Sequence, residues 1–258
     1  MLSPDSEAGA AVADSKTRDA EIGAWLNLAS PYIAEASSRL GFDFVVLDMQ
    51  HGLIDEAGAL AMLQATDLGG ARPAVRCAHS GAAHVGRMLD FGALDLIVPM
   101  IESAAEAHEL VRACLYAPEG NRSFGPTRAG LRHKSYFEDG PSEIRLFPMV
   151  ETSAALDDVD SIAALHGVAG LFVGPADLSL SLGLRPARDQ EAAEFSSAID
   201  RILAACRRHG KIAGIQADRS VMAKRLRQGF SFLTVCMDSS DLRESFKKTL
   251  AEARGVKA

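Results

Sequence analysis

From Ile22 onward, short apolar runs alternate with longer stretches in which apolar residues recur at helical spacing, and no linker or composition break interrupts them. The runs predict strands over 23–27, 44–48, 73–76, 95–100, 145–151, 170–173, 212–216 and 232–237. Helices are predicted over 31–40, 56–67, 82–91, 104–115, 153–165, 190–208, 220–228 and 241–254. Several of these end in glycine just before the next strand, as in Leu40-Gly41, Phe91-Gly92, His209-Gly210 and Gln228-Gly229. A left-handed residue closes many helices at that position. Eight β-α units in succession imply a single closed parallel (β/α)8 barrel, the TIM barrel, over 21–258. A doubly wound sheet would instead show a Gly-rich phosphate turn after its first strand, where this chain reads Asn27-Leu28-Ala29-Ser30-Pro31.

Composition fits one large core: of 258 residues, 48% are hydrophobic and 24% charged, which excludes disorder over most of the chain. A formal net charge of -7 leaves no basic footprint and argues against nucleic acid or an anionic membrane surface as the main partner. Any anionic ligand must then be held by local positive groups. Cys77, Cys114, Cys206 and Cys236 are widely spaced with no C-x-x-C pair, so they read as buried thiols of a cytoplasmic protein. Residues 1–20 are small and polar and lack an apolar core of signal-peptide length; they read as a flexible N-terminal arm.

In such a barrel the chemistry sits at the carboxyl ends of the strands. Those ends carry Trp25 and Asn27, Asp48 to His51, Arg76, Glu151, the turn Gly174-Pro175-Ala176-Asp177, Gln216 and Asp238. Glu151 and Asp177 close consecutive strands, which sets them side by side; such a pair suits a hard divalent cation whose other ligands are water and substrate. Alternatively, Asp177 caps a helix beginning near Leu178. His51 follows Asp48 by three residues, near enough for the carboxylate to orient its ring as a general base, unless it is simply a solvated loop residue. Arg76 suits a carboxylate or enolate oxygen, or else pairs with Asp48 or Glu102. Trp25 is either core or a wall of the pocket.

With these residues in this order, the chain resembles the HpcH/HpaI family of class II, metal-dependent pyruvate aldolases over roughly residues 21 to 250. The carriers are Gly23-Ala-Trp-Leu-Asn27, Phe44-Val-Val-Leu-Asp48-Met-Gln-His51-Gly52, Val75-Arg76, Leu89-Asp90, Leu96-Ile-Val-Pro-Met100, Met149-Val-Glu151-Thr152 and Leu171-Phe-Val-Gly-Pro-Ala-Asp177-Leu178-Ser179. The resemblance implies a barrel of the phosphoenolpyruvate/pyruvate-binding type. It makes Glu151 and Asp177 the ligands of a divalent cation, Mg²⁺ or Mn²⁺ with Co²⁺ a further candidate. It makes His51 the catalytic histidine, Arg76 the active-site arginine and Trp25 the aromatic near the pyruvate methyl. In the turn Gly174-Pro175-Ala176-Asp177 the backbone N–H groups around Ala176 and Asp177 would bind the keto-acid carboxylate. Gln216, at its own strand end, reads separately as a further substrate contact.

The family also pairs its histidine with an aspartate at the position of Asp90. In this chain Asp90 ends the third helix, at the far end of its own barrel, so either a neighbouring subunit supplies it or Asp48 does that work. The resemblance further implies a homo-hexamer of dimers that exchange their last helix, with Leu242, Phe246 and Leu250 as the exchanged face; otherwise that stripe packs on its own barrel. Gln50, Met149 and Ser123 stand where the family commonly has Glu, Gln and Gly. The segment 126–143, with Arg128, Arg132, His133 and Lys134, matches poorly and reads as a site for an acidic acceptor or as a solvated subunit contact.

A Schiff-base aldolase needs a lysine inside the barrel, and the lysines at 16, 134, 211, 224, 247, 248 and 257 fall in the arm, a loop, helices or strand beginnings. The expected reaction is therefore reversible, metal-dependent cleavage of a 4-hydroxy-2-keto acid to pyruvate and an aldehyde, with oxaloacetate decarboxylation as a side activity. Two alternatives stand beside it. One is a lyase of the citrate-lyase β-subunit type acting on malyl-CoA-like thioesters. The other is a non-catalytic homologue that binds metal and keto acid, made thinkable by Gln50 and Met149.

Overall fold

Each apolar run becomes a strand because both of its faces are buried, one in the barrel interior and the other under the helices. The computed structural model describes residues 20–132 and 135–255. Residues 1–19 of the expected arm, together with His133 and Lys134, lie outside the described residues. The chain runs β1 (Glu21–Leu26), α1 (Pro31–Arg39), β2 (Phe44–Asp48), α2 (Glu56–Gly69), β3 (Arg72–Arg76), α3 (Ala82–Asp90), β4 (Asp95–Val98) and α4 (Ala104–Cys114). A short α5 (Tyr136–Asp139) precedes β5 (Arg145–Val150), α6 (Ser153–Asp157), α7 (Val159–Ala164), β6 (Gly170–Val173) and α8 (Pro175–Ser181). The remainder is α9 (Ala193–Arg208), β7 (Ile212–Gln216), α10 (Met222–Gln228), β8 (Phe232–Met237) and α11 (Asp238–Ala253). All eight strands are parallel and pair in chain order, and β8 returns to β1, so the sheet closes as a (β/α)8 barrel.

Aromatic rings fill the interior. Phe232 stacks on Phe44 and Phe147 with centroids 3.8 Å and 4.7 Å apart, and Trp25 lies over Phe172 at 5.9 Å. The amino end is closed by an ion cluster in which Asp95, fully buried, accepts from Arg72 and Arg145 while Arg145 also pairs with Glu21. The helix-terminal glycines at 41, 92, 210 and 229 are all left-handed, which is why those four sequence signals mark the ends of helices so well.

Besides shifts of a few residues at element ends and the added short helices α5 and α8, three elements differ from expectation. The helix expected over 153–165 divides at Asp158, whose carboxylate is drawn across to the N–H of Ala104. The strand expected over 95–100 stops at Val98, since Pro99 has no N–H for the ladder, and Met100 after it turns left-handed. The last helix begins at Asp238, directly after β8. All four cysteines are free thiols, and burial pushes each of them up, Cys206 and Cys236 to about 11. Among the described residues no helix is long and apolar enough to cross a membrane.

Candidate active site

Asp48 ends β2 as a buried hub that accepts six hydrogen bonds: two from Arg76, one each from the Trp25 ring and the Asn27 amide, and one each from the backbone N–H groups of Gln50 and His51. Burial alone would raise its pKa, yet the fork and charge of Arg76, with the His51 N–H and Trp25, hold it below the ordinary carboxylate value. Arg76 sits over the Trp25 ring at 4.9 Å. Its Nε and one Nη serve Asp48, and the other Nη has no hydrogen-bond partner among the described residues.

Glu151 follows β5 and is 1% exposed. Its Oε1 accepts the N–H of Met100 at 2.7 Å, while Oε2 is buried without a partner. Burial pushes its carboxyl up to about 7; the Met100 N–H and Arg76 oppose that rise, and the charge of Asp177 adds to it. The two carboxylates are therefore electrostatic neighbours. Gly174 packs so tightly on this group that a Cβ there would come 2.2 Å from Oε2 and 2.9 Å from the Met149 methyl. Asp177 is the third residue of α8, whose cap is Gly174, so its carboxylate is not consumed as an N-cap. The N–H groups of Ala176 and Asp177 have no partner among the described residues.

The loops that carry these groups are fastened together. Ser153 of α6 donates its N–H to the Ser181 hydroxyl and its own hydroxyl to the Ser181 carbonyl of α8, and Thr152 caps α6 by accepting the Ala155 N–H. Asp238 takes the N–H groups of Asn27 and Leu28, anchoring the end of β1.

Several expected relationships change in the folded chain. Asp48 meets His51 only at its backbone N–H; the exposed His51 ring has no partner among the described residues, because Arg76 and its companions saturate the carboxylate. Asp48 thus orients Arg76 rather than the imidazole. Trp25 is 1% exposed, which makes it a buried support for Asp48 and Arg76 and not an open wall. Asp90 is held at the far end by Arg122, at 2.7 Å, and Arg122 also donates to the Tyr136 hydroxyl, so within one protomer Asp90 does not meet His51. Gln216 is half-buried at the end of β7. Met100 escaped sequence reasoning: Pro99 signals that the ladder ends there, and nothing local signals the turn that follows. Among the described residues no group of three or more His, Cys, Asp or Glu gathers as a metal cage.

The family model for HpcH/HpaI aldolase/citrate lyase matches residues 21–245. A hydroxypyruvate/pyruvate aldolase of Rhizorhabdus wittichii is 39% identical over 234 residues, covering 90% of this chain and 93% of that protein. Another of the same description, from Pseudomonas aeruginosa, is 37% identical over 247 residues, covering 93% and 91%. The crystal structure of an HpcH/HpaI aldolase/citrate lyase family protein from Burkholderia cenocepacia is similar with a TM-score of 0.85 at 32% identity, over 92% of this chain and 95% of that one.

Proposed function

The chain belongs to the HpcH/HpaI aldolase/citrate lyase family, and from that premise we infer that it is a pyruvate aldolase, a carbon–carbon lyase acting on small keto acids. The reading extends to reversible cleavage of a 4-hydroxy-2-keto acid to pyruvate and an aldehyde. One observation carries it: a buried Glu151 oxygen without a partner, beside Asp177, at the end of the barrel where chemistry belongs. A desolvated, unpaired carboxylate oxygen next to a second carboxylate is costly unless a cation joins them. The two side chains therefore fit a hard divalent ion, Mg²⁺ or Mn²⁺, which needs only one or two protein carboxylates. Bound there, such an ion supplies Lewis-acid stabilisation of the charge that develops on the keto oxygen.

The chain's own groups do the rest. The free N–H groups of Ala176 and Asp177 suit the keto-acid carboxylate. Arg76, held by Asp48 and seated over Trp25, offers its uncommitted Nη to the developing enolate oxygen. His51, through a water, takes the 4-hydroxyl proton in cleavage and returns it in condensation. Gln216 remains for the aldehyde portion. An imine route has no lysine to use among the described residues: Lys211 binds the Leu165 and Val168 carbonyls, Lys224 pairs with Asp189, and Lys247 and Lys248 lie on α11.

Assembly belongs to the same reading. None of the residues of α11 is buried, and Leu242, Phe246 and Leu250 are exposed on it. Exchange of this helix within a dimer, and a homo-hexamer of such dimers, would cover the stripe and allow a neighbour's Asp90 to reach His51. Four free thiols, three of them buried and Cys236 partly so, fit the reducing cytoplasm.

The test is Mg²⁺-dependent exchange of the pyruvate methyl protons in deuterated water, followed by NMR. Exchange is expected in the wild-type protein and lost in Glu151→Gln and Asp177→Asn. Metal binding without exchange would leave a non-catalytic binder, and turnover of malyl-CoA-like thioesters but of no free keto acid would make it a lyase of the citrate-lyase type.

A further inference from the structure

Met100 is the only residue other than glycine with a positive φ among the described residues, at 56°. Its side chain is half exposed, so burial of the thioether does not offset the unfavourable backbone. The turn has a different consequence: it directs the Met100 N–H to Glu151 Oε1 at 2.7 Å. On the opposite side Gly174 approaches Oε2 so closely that no Cβ fits. The carboxylate is thereby held between the ends of β4 and β6, with Oε2 left without a partner.

We propose that Met100 is a positioning residue, whose left-handed backbone aims its N–H at Oε1 and so fixes the Glu151 rotamer that turns Oε2 to the divalent cation. The inference rests on the reading of Glu151 and Asp177 as metal ligands. Because the acting group is the backbone, the side chain at this position matters only through the φ it permits. Asparagine enters the left-handed region readily, whereas a β-branched residue resists it.

The experiment measures Mn²⁺ binding to the metal-free full chain by the electron paramagnetic resonance signal of free Mn²⁺, with the thermal midpoint recorded in parallel. Met100→Val is expected to bind Mn²⁺ about tenfold more weakly, the usual scale for losing a group that orients a ligand. Met100→Asn is expected to bind as the wild type does. Equal affinity for the wild type and Met100→Val overturns the proposal. So does an equal loss in both variants, because the side chain and not the amide would then be responsible. Should Met100→Val fail to fold, replacing Met100 by its α-hydroxy acid puts an ester where the amide was and removes the N–H while keeping the side chain; wild-type affinity in that protein overturns the proposal too. Glu151→Gln and Asp177→Asn check the underlying reading separately. If neither weakens Mn²⁺ binding, that reading fails, whereas a loss in both with none in Met100→Val sinks only the positioning role.

Discussion

Arg76 holds Asp48 with two nitrogens, Nε to Oδ1 at 2.9 Å and an Nη to Oδ2 at 2.5 Å, and both side chains are nearly withdrawn from solvent. Lysine cannot reproduce that fork, because its ammonium is a point donor on a flexible stem. Arg76→Lys is expected to stay folded and to lose about a hundredfold in retro-aldol kcat, the scale for removing one donor to a developing oxyanion. Asp48→Asn leaves a buried guanidinium uncompensated and is expected to cost about 3 kcal/mol of stability as well. Urea unfolding separates the two variants, and steady-state kinetics on a 4-hydroxy-2-keto acid measures the first.

Glu151 is expected to make the metal-free protein less stable as pH rises. Burial lifts its carboxyl from 4.5 to about 7, so between those values the unfolded chain has given up a proton that the folded one keeps. Fewer protons on the unfolded state means that stability falls with pH through this window, by about 3 kcal/mol in all, and is level above it. Glu151→Gln removes that contribution, so the difference between the proteins in urea midpoint is expected to grow from pH 4.5 to 7. Parallel curves would refute the assignment. The same proton competes with a cation, so Mn²⁺ affinity is expected to weaken below pH 7.

Much of this site was legible because it follows from topology. Once eight apolar runs are read as parallel strands, Asp48, Arg76, Glu151 and Asp177 must share one end of the barrel, and they do. What could not be read is which partner wins when several compete. The spacing of Asp48 and His51 allows a carboxylate–imidazole pair, but the Arg76 fork and the Trp25 and Asn27 donors take the oxygens first. The turn at Met100 was hidden for a similar reason, since the partner of its N–H is a carboxylate 51 residues away, just past the next strand. The segment over 126–143 carries little periodicity, and it folds as a 3-10 turn at Ala129–Leu131, α5 and a second turn at Gly140–Glu143.

Stability at the amino end is expected to be separable from chemistry at the other. Asp95 is fully buried and serves both Arg72 and Arg145, and Arg145 lies over Phe147 and Phe232. Asp95→Ala leaves those cations short of an anion and is expected to cost about 3–5 kcal/mol. Pyruvate methyl exchange per folded molecule should be unchanged, because no strand end at the carboxyl mouth is touched. A drop in exchange without a drop in the urea midpoint would mean that the two ends are coupled.

The last helix carries its own test. Leu242, Phe246 and Leu250 recur every fourth residue along α11 and are 43%, 66% and 51% exposed, while none of the helix is buried. A helix of 16 residues has little stability in water without an apolar face to pack, so a partner that covers this stripe would stabilise it. If a second copy supplies it, Phe246→Glu places a charge in the covered seam. Light scattering coupled to size exclusion is then expected to show a smaller species than the wild type, with helix signal lost by circular dichroism. Retro-aldol activity should fall in step with dissociation, since His51 would lose a neighbour's Asp90. A wild-type protein that is monomeric at micromolar concentration and fully active would remove both the exchange and the borrowed aspartate.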